Sequence, residues 1–197
     1  MKAALFDYGA GNLHSLGKAL AQAGAEVRVE PDILRALDTD LFVLPGVGAF
    51  GPAAQRLAGG LAQVRQALGR GLPCLGVCLG MQLLFESSEE GAGEGVGHFR
   101  GRVTALRAKQ VPHIGWNDVA SEAAVFEKSR FRWAYYANGF ACRAEDPGDV
   151  VAWSTHENDR FPAAVRKGNV FGVQFHPEKS SAAGLRVLQA LLEEVRR

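Results

Sequence analysis

Little in this sequence marks it for export, for a membrane or for a polyanion. Its three cysteines are an odd number and include no Cys-x-x-Cys pair. That argues against a disulfide framework or a zinc ribbon and fits free thiols in a reducing compartment. Lys and Arg number 22 against 21 Asp and Glu, so no basic surface argues for nucleic acid and no acidic tail for a disordered segment. No apolar run approaches the ~20 residues of a membrane span. Met1-Lys2 is followed at once by Ala3-Ala4-Leu5-Phe6 and then Asp7, too short for the apolar region of a signal peptide. A cytoplasmic protein is expected. Gly-x-Gly-x-x-Gly is missing after the first strand, and Gly9-x-Gly11 alone is a weak dinucleotide signal, better read as a structural turn. With no internal repeat and no low-complexity linker, residues 1–197 read as a single domain, long enough to bury a full core.

What the chain does have is an alternation of short apolar runs and helical patterns. Strands are expected at Lys2–Phe6, Glu26–Glu30, Leu41–Leu44 and Pro73 to Val77. Between them, Leu13, Leu16, Leu20 and Ala23 mark one helix face that Gly24 stops, and residues 32–37 suit a short helix. Pro52 suits the first helical position of a helix carrying Leu57, Leu61, Val64 and Leu68 on one face. This β-α-β-α order predicts an α/β fold, three layers α/β/α around a mostly parallel sheet. After Phe85, a Gly- and Glu-rich loop leads into short β-like runs near residues 103–106, 111–119, 133–136, 150–153 and 163–165. These are expected to extend one edge of the sheet as antiparallel strands, with little helix. A last strand over residues 169–175 and a closing helix from about Ser181 complete the pattern.

The stretch Pro73-Cys74-Leu75-Gly76-Val77-Cys78-Leu79-Gly80-Met81-Gln82 stands out. Gly-x-Cys-x-Gly at a strand-to-helix junction is the thiol counterpart of the nucleophile elbow. A strand that turns at once into a helix crowds positions i−2 and i+2, where a β-carbon would collide. The turn lifts the sulfur clear of the sheet at a helix N-terminus, which favours the thiolate. Taken alone, the motif is more often an ordinary buried cysteine beside flexible glycines.

A cysteine nucleophile needs a base, and the base needs an acceptor on its second nitrogen. Of the five histidines, His176 leaves the C-terminal end of an apolar strand, the sheet edge that also carries Cys78. Ligands of open α/β sheets gather along that edge. Glu178, two residues on across Pro177, can reach back to the imidazole if His-Pro-Glu is extended. The bland alternative is a surface histidine after a strand. His14, His98 and His156 read as solvent-facing or loop residues, and His113, the rival base, has no carboxylate at a useful spacing. An acyl-transfer oxyanion needs donors. The N–H of Leu79, directly after the nucleophile, is one, and the N–H of Val47 in Pro45-Gly46-Val47-Gly48 is the other; the alternative for that loop is a plain strand-to-helix turn. This chemistry requires no cofactor and no metal.

Pro45-Gly46-Val47-Gly48, Gly76-Val77-Cys78-Leu79-Gly80-Met81-Gln82 and Gly172-Val173-Gln174-Phe175-His176-Pro177-Glu178-Lys179-Ser180 together resemble the class I (triad) glutamine amidotransferases across almost the whole chain. The resemblance implies hydrolysis of glutamine to glutamate and ammonia through a cysteine thioester, with Cys78, His176 and Glu178 as the triad. It implies that Gly48, Gln82 and Glu90 hold the substrate. Asp7-Tyr8-Gly9-Ala10-Gly11-Asn12, Pro112-His113-Ile114-Gly115-Trp116-Asn117 and Tyr135-Tyr136 are similar to the glutaminase subunits of imidazole glycerol phosphate synthases, in histidine biosynthesis. For such subunits the implied partner is a (β/α)₈-barrel cyclase in a heterodimer. Ammonia would pass through that barrel, and Asn12, Trp116, Tyr136 and Lys179 would face it. Asn138-Gly139-Phe140 stands where the family usually has His-Ser-Tyr, so no side-chain hydroxyl contact to substrate is expected there. A cysteine protease or γ-glutamyl hydrolase would use the same elbow with an open cleft and no partner. A binding module would keep the fold without a reactive thiol.

Overall fold

The structure is a computed structural model that describes residues 1–9 and 13–195. The first half is β1 (Lys2–Phe6), α1 (Leu13–Gln22), β2 (Glu26–Glu30), α2 (Ile33–Ala36), β3 (Leu41–Leu44), α3 (Phe50–Ala58), α4 (Leu61–Gly69), β4 (Cys74–Val77) and α5 (Leu79–Leu83). The second half is β5 (Ser87–Ser88), β6 (Gly101–Ala105), β7 (His113–Asp118), α6 (Ala124–Ser129), β8 (Trp133–Asn138), β9 (Phe140–Ala144), β10 (Val150–His156), β11 (Asp159–Lys167), β12 (Val170–Val173) and α7 (Ser181–Val195).

The central sheet has seven strands in the order β10-β11-β12-β4-β3-β1-β2. The five from β12 to β2 are parallel, and β11 and β10 extend that edge antiparallel. Strand periodicity divides the apolar residues between two cores. Ala3 and Leu5 of β1 join Leu16 and Leu20 of α1 and Leu188 and Leu192 of α7 on one face. Ala4 and Phe6 join Phe42, Leu57, Val64 and Leu68 on the other. A strand buried on both faces reads as a continuous apolar run, which is why β1, β3 and β4 are visible in the sequence.

Two expectations need correction. The helix expected across residues 52–68 is two helices, and Pro52 is the third residue of α3 rather than its first. The break at Gly59-Gly60 lets Ile33 approach; a β-carbon on Gly60 would lie 2.3 Å from Ile33 Cγ2. Next, of the described strands between Phe85 and the final strand β12, only β10 and β11 join the central sheet. β5-β6-β9 and β7-β8 form two small sheets of their own, because pairing partners are chosen by long-range packing that local patterns do not encode.

Candidate active site

The topology brings two loops to one spot. β4 and β12 are parallel neighbours with Val77 opposite Val173, so the chain leaves both strands at the same edge. Cys78 follows β4 directly and His176 follows β12 by three residues. β3 flanks β4 on its other side and sends out the loop 45–48. A cleft opens there, walled by Gly46, Val47 and Gly48, by Cys78, Leu79 and Gln82, by Glu90, and by Ala137 to Phe140, His176 and Lys179. Its volume of about 220 Å³ falls below the ~300–1,000 Å³ of pockets for drug-sized ligands. A small substrate suits it better than a peptide.

The elbow is built by exclusion. Cys78 has φ +46° and ψ −104°, a region L-residues enter at a cost of about 1–3 kcal/mol and mostly at functional positions. A β-carbon on Gly76 would sit 2.6 Å from the Gly80 carbonyl oxygen, and one on Gly80 would sit 1.9 Å from that of Leu44. The first collision is the crowding across the turn that the motif implies; the second is against β3. The Cys78 N–H donates to the Val173 carbonyl at 2.7 Å, locking the turn to β12. Leu79 opens α5, so its N–H has no partner inside the helix.

His176 is 2% exposed. Its Nδ1 is 2.8 Å from Glu178 Oε1. Burial alone would lower the imidazole pKa, but its interactions with Cys78 and Glu178 outweigh it and raise it to about 9. The pair therefore holds a proton on His176 at neutral pH. Glu178 returns to the ring through a tight 3-10 turn over Pro177–Lys179, not through the extended His-Pro-Glu that the spacing suggests. Among the described residues no group of His, Cys, Asp and Glu is arranged to hold a metal.

Several residues inside the quoted motifs have supporting roles that motif reading does not reveal. Gln174 is fully buried and its Nε2 lies 3.5 Å from Cys78 Sγ. Ser180 is fully buried; its hydroxyl donates to the His176 carbonyl and accepts from the Tyr135 N–H, while the His176 N–H donates to the Tyr135 carbonyl. The His176 turn is thus fastened to β8. The Tyr8 hydroxyl donates to the Pro45 carbonyl and ties the end of β1 to the loop 45–48. The one available signal was a polar Gln174 two residues before His176, which extended chain places on the same side.

Gln82 is buried at the cleft wall and donates to Phe140 O and Gln174 Oε1. Glu90 lines the cleft while Oε2 accepts the Phe50 N–H at the start of α3. Val47 and Gly48 line it too. Asn138 Nδ2 turns back to Phe140 O, so this segment offers backbone to the cleft. His113 is buried in β7 and stacks on Tyr136 and His156; burial, and then His156, lower its pKa to about 4. His156 is half-buried and pairs with Gln110 O, so it is less exposed than its charged neighbours suggest.

Of the residues expected to face a partner, Trp116 is 51% exposed and Lys179 is exposed with its Nζ 5.8 Å from the Tyr135 ring. Asn12 lies outside the described residues. Tyr136 is a correction: it is fully buried, with its hydroxyl paired to Ser154, and presents no surface to a partner. Successive strand residues alternate faces, so only one of Tyr135-Tyr136 can look outward. The outward one is Tyr135, which sits opposite Trp116 in the β7–β8 pair and packs edge-on against it.

A cysteine on a strand-to-helix elbow, a carboxylate-held imidazole and a small cleft thus meet at the ends of β4 and its neighbours, where open α/β sheets bind ligands. Residues 4–194 match the glutamine amidotransferase class-I family, and the chain belongs to that family. It is 44% identical to imidazole glycerol phosphate synthase subunit HisH of Synechococcus sp. (strain JA-3-3Ab), over 100% of this chain and 95% of that protein. It is 41% identical to the subunit of the same name from Nostoc punctiforme, over 98% and 96%. Among solved structures, PurLQS from Thermotoga maritima superposes with a TM-score of 0.77, at 24% identity, covering 98% of each chain; this likeness concerns the fold.

Proposed function

We propose that this chain is the glutaminase subunit of an imidazole glycerol phosphate synthase, with Cys78, His176 and Glu178 as its catalytic triad in one amidotransferase domain spanning residues 1–197. The observation that carries the triad is His176, buried with its Nδ1 held 2.8 Å from Glu178 Oε1 and lining the same cleft as the elbow cysteine. The Cys78 sulfur attacks the side-chain amide carbon of glutamine. The resulting oxyanion is met by the N–H groups of Leu79 and Val47. His176 gives its proton to the departing nitrogen, which leaves as ammonia, and a thioester remains. Water then adds with His176 as base, and glutamate leaves as the sulfur is regenerated. Glu178 holds the ring and steadies its charge throughout.

Gly48, Gln82 and Glu90 hold the substrate. Both Gln82 amide hydrogens are already used, on Phe140 O and Gln174 Oε1, so it meets glutamine through its carbonyl oxygen, an acceptor suited to the α-ammonium group. The partner is a cyclase subunit of (β/α)₈-barrel form, bound as a heterodimer in the cytoplasm and receiving the ammonia. Trp116 and Lys179, with Tyr135 between them, supply aromatic and cationic contacts of the kind that dominate interfaces. No helix among the described residues is long and apolar enough to cross a membrane.

The test replaces Cys78 by alanine in the complex with the cyclase. Glutamine-dependent turnover should disappear while added ammonium salts still support the synthase. Undiminished glutamine-dependent turnover would overturn the assignment.

A further inference from the structure

We propose that Gln174 is a positioning residue for the nucleophile, directing an amide N–H at the sulfur of Cys78 in an orientation imposed, through Gln82, by the backbone carbonyl of Phe140. The inference rests on the reading of Cys78 as the nucleophile.

The two ends of a glutamine amide are assigned from their partners, and here the partners leave one consistent solution. A backbone carbonyl only accepts, so the Gln82 group 3.2 Å from Phe140 O is its Nε2. That same nitrogen lies 3.2 Å from Gln174, so Gln174 must present its oxygen to Gln82. The Gln174 nitrogen is then the atom turned to Cys78 Sγ, at 3.5 Å. The chain Phe140 O, Gln82, Gln174, Cys78 runs in one direction, fixed at its far end by a group that cannot be inverted. Gln174 is fully buried and Gln82 nearly so, at 4% exposure, so water does not compete for these hydrogen bonds.

The electrostatic consequence follows from sign. A donor pointed at sulfur stabilises the thiolate and not the thiol. Other groups also act on this sulfur: His176 with Glu178 behind it in the turn after β12, Tyr8 beyond β1 and Cys142 on β9. Glu90 and Lys179 line the cleft. Gln174 differs from all of them in being a neutral donor that carries no ionisable proton. Replacing it alters the thiolate's solvation and leaves those charges in place.

The experiment measures the rate of Cys78 alkylation by iodoacetamide against pH in the full chain, with the modified cysteine located by mass spectrometry. In Gln174→Leu the midpoint of the profile should move to higher pH, and the rate at neutral pH should fall by roughly 3- to 10-fold. In Gln82→Leu, which frees the Gln174 amide to invert, the same shift should be smaller. A glutamine that only fills space would lower the melting temperature and leave the midpoint where it is. Profiles of folded Gln174→Leu that overlay the parent would overturn the inference; if that variant does not fold, an unshifted Gln82→Leu profile would do so. A parent chain in which Cys78 reacts no faster than buried Cys74 and Cys142 would instead remove the nucleophile reading itself.

Discussion

The two turns that meet at the sheet's rim are held by different means. The turn after β4 is held by backbone: Gly76 and Gly80 leave no room for a β-carbon, and Cys78 takes a positive φ because nothing else fits. The turn after β12 is held by side chains: Glu178 on the ring of His176, Ser180 on its carbonyl and on Tyr135, Gln174 just upstream. The nucleophile must hold one strained geometry, and steric exclusion does that without adjustable parts. The base must exchange a proton with sulfur, amide nitrogen and water in turn. A hydrogen-bonded frame fixes its ring plane while letting its charge change.

If that contrast is right, substitutions in the two turns fail differently. The largest effect is expected at Gly80→Ala. Its β-carbon would lie 1.9 Å from the Leu44 carbonyl oxygen, backbone against backbone, so the strand-to-helix junction cannot form. The chain should lose more than about 4 kcal/mol of stability or fail to fold, as read by denaturant unfolding. A folded, active Gly80→Ala would break the comparison.

Next in size is Glu178→Gln, which keeps the shape and removes the charge. Turnover should fall by roughly 10- to 100-fold with little change in fold. The pH profile sharpens the point. His176 is held at about 9 against an ordinary value near 6.5, so between those values the native state keeps a proton that the unfolded chain has released. That contribution to stability is complete below about pH 6.5 and is lost as pH rises through 9. Turnover should fall over the upper part of the same window, as the imidazolium that protonates the leaving nitrogen disappears. In Glu178→Gln both declines should begin at lower pH; an unmoved profile would deny Glu178 its electrostatic part.

The smallest effect is expected at Ser180→Ala. It removes two hydrogen bonds from a buried turn, a cost of about 1–3 kcal/mol. Turnover should drop a few-fold, through kcat more than KM, since the base is displaced and the cleft wall is not. A raised KM with kcat unchanged would place Ser180 in substrate binding instead.

The same contrast explains what was legible in the sequence. Steric requirements announce themselves as glycine, so the elbow, the loop 45–48 and the strand-to-helix rhythm of the first half could be read directly. His176 and Glu178 were visible because they are neighbours in the chain, although the turn joining them is tighter than the extended path their spacing suggests. Gln174 and Tyr8, and Ser180 in its bond to Tyr135, act on residues reached only by folding, at separations no local pattern records. The β7–β8 and β5-β6-β9 sheets were missed because β6, β7 and β8 were legible as strands without their partners, while β5 and β9 were not read as strands at all. Tyr136 shows the limit of resemblance without register. A Tyr-Tyr pair in a strand has one inward and one outward ring, and only the pairing with β7 decides that Tyr135 is the one beside Trp116.

The central claim is that the Cys78 sulfur and the His176 imidazole act as one unit on glutamine. The most direct measurement is acid-quenched mass spectrometry of the chain turning over glutamine in complex with its cyclase. The account predicts a γ-glutamyl adduct on the peptide containing Cys78, absent in Cys78→Ala and both formed and cleared more slowly in His176→Asn. Glutamine hydrolysis at the full rate with no adduct on that peptide, or an adduct that forms and clears at the parent's rates in His176→Asn, would contradict it.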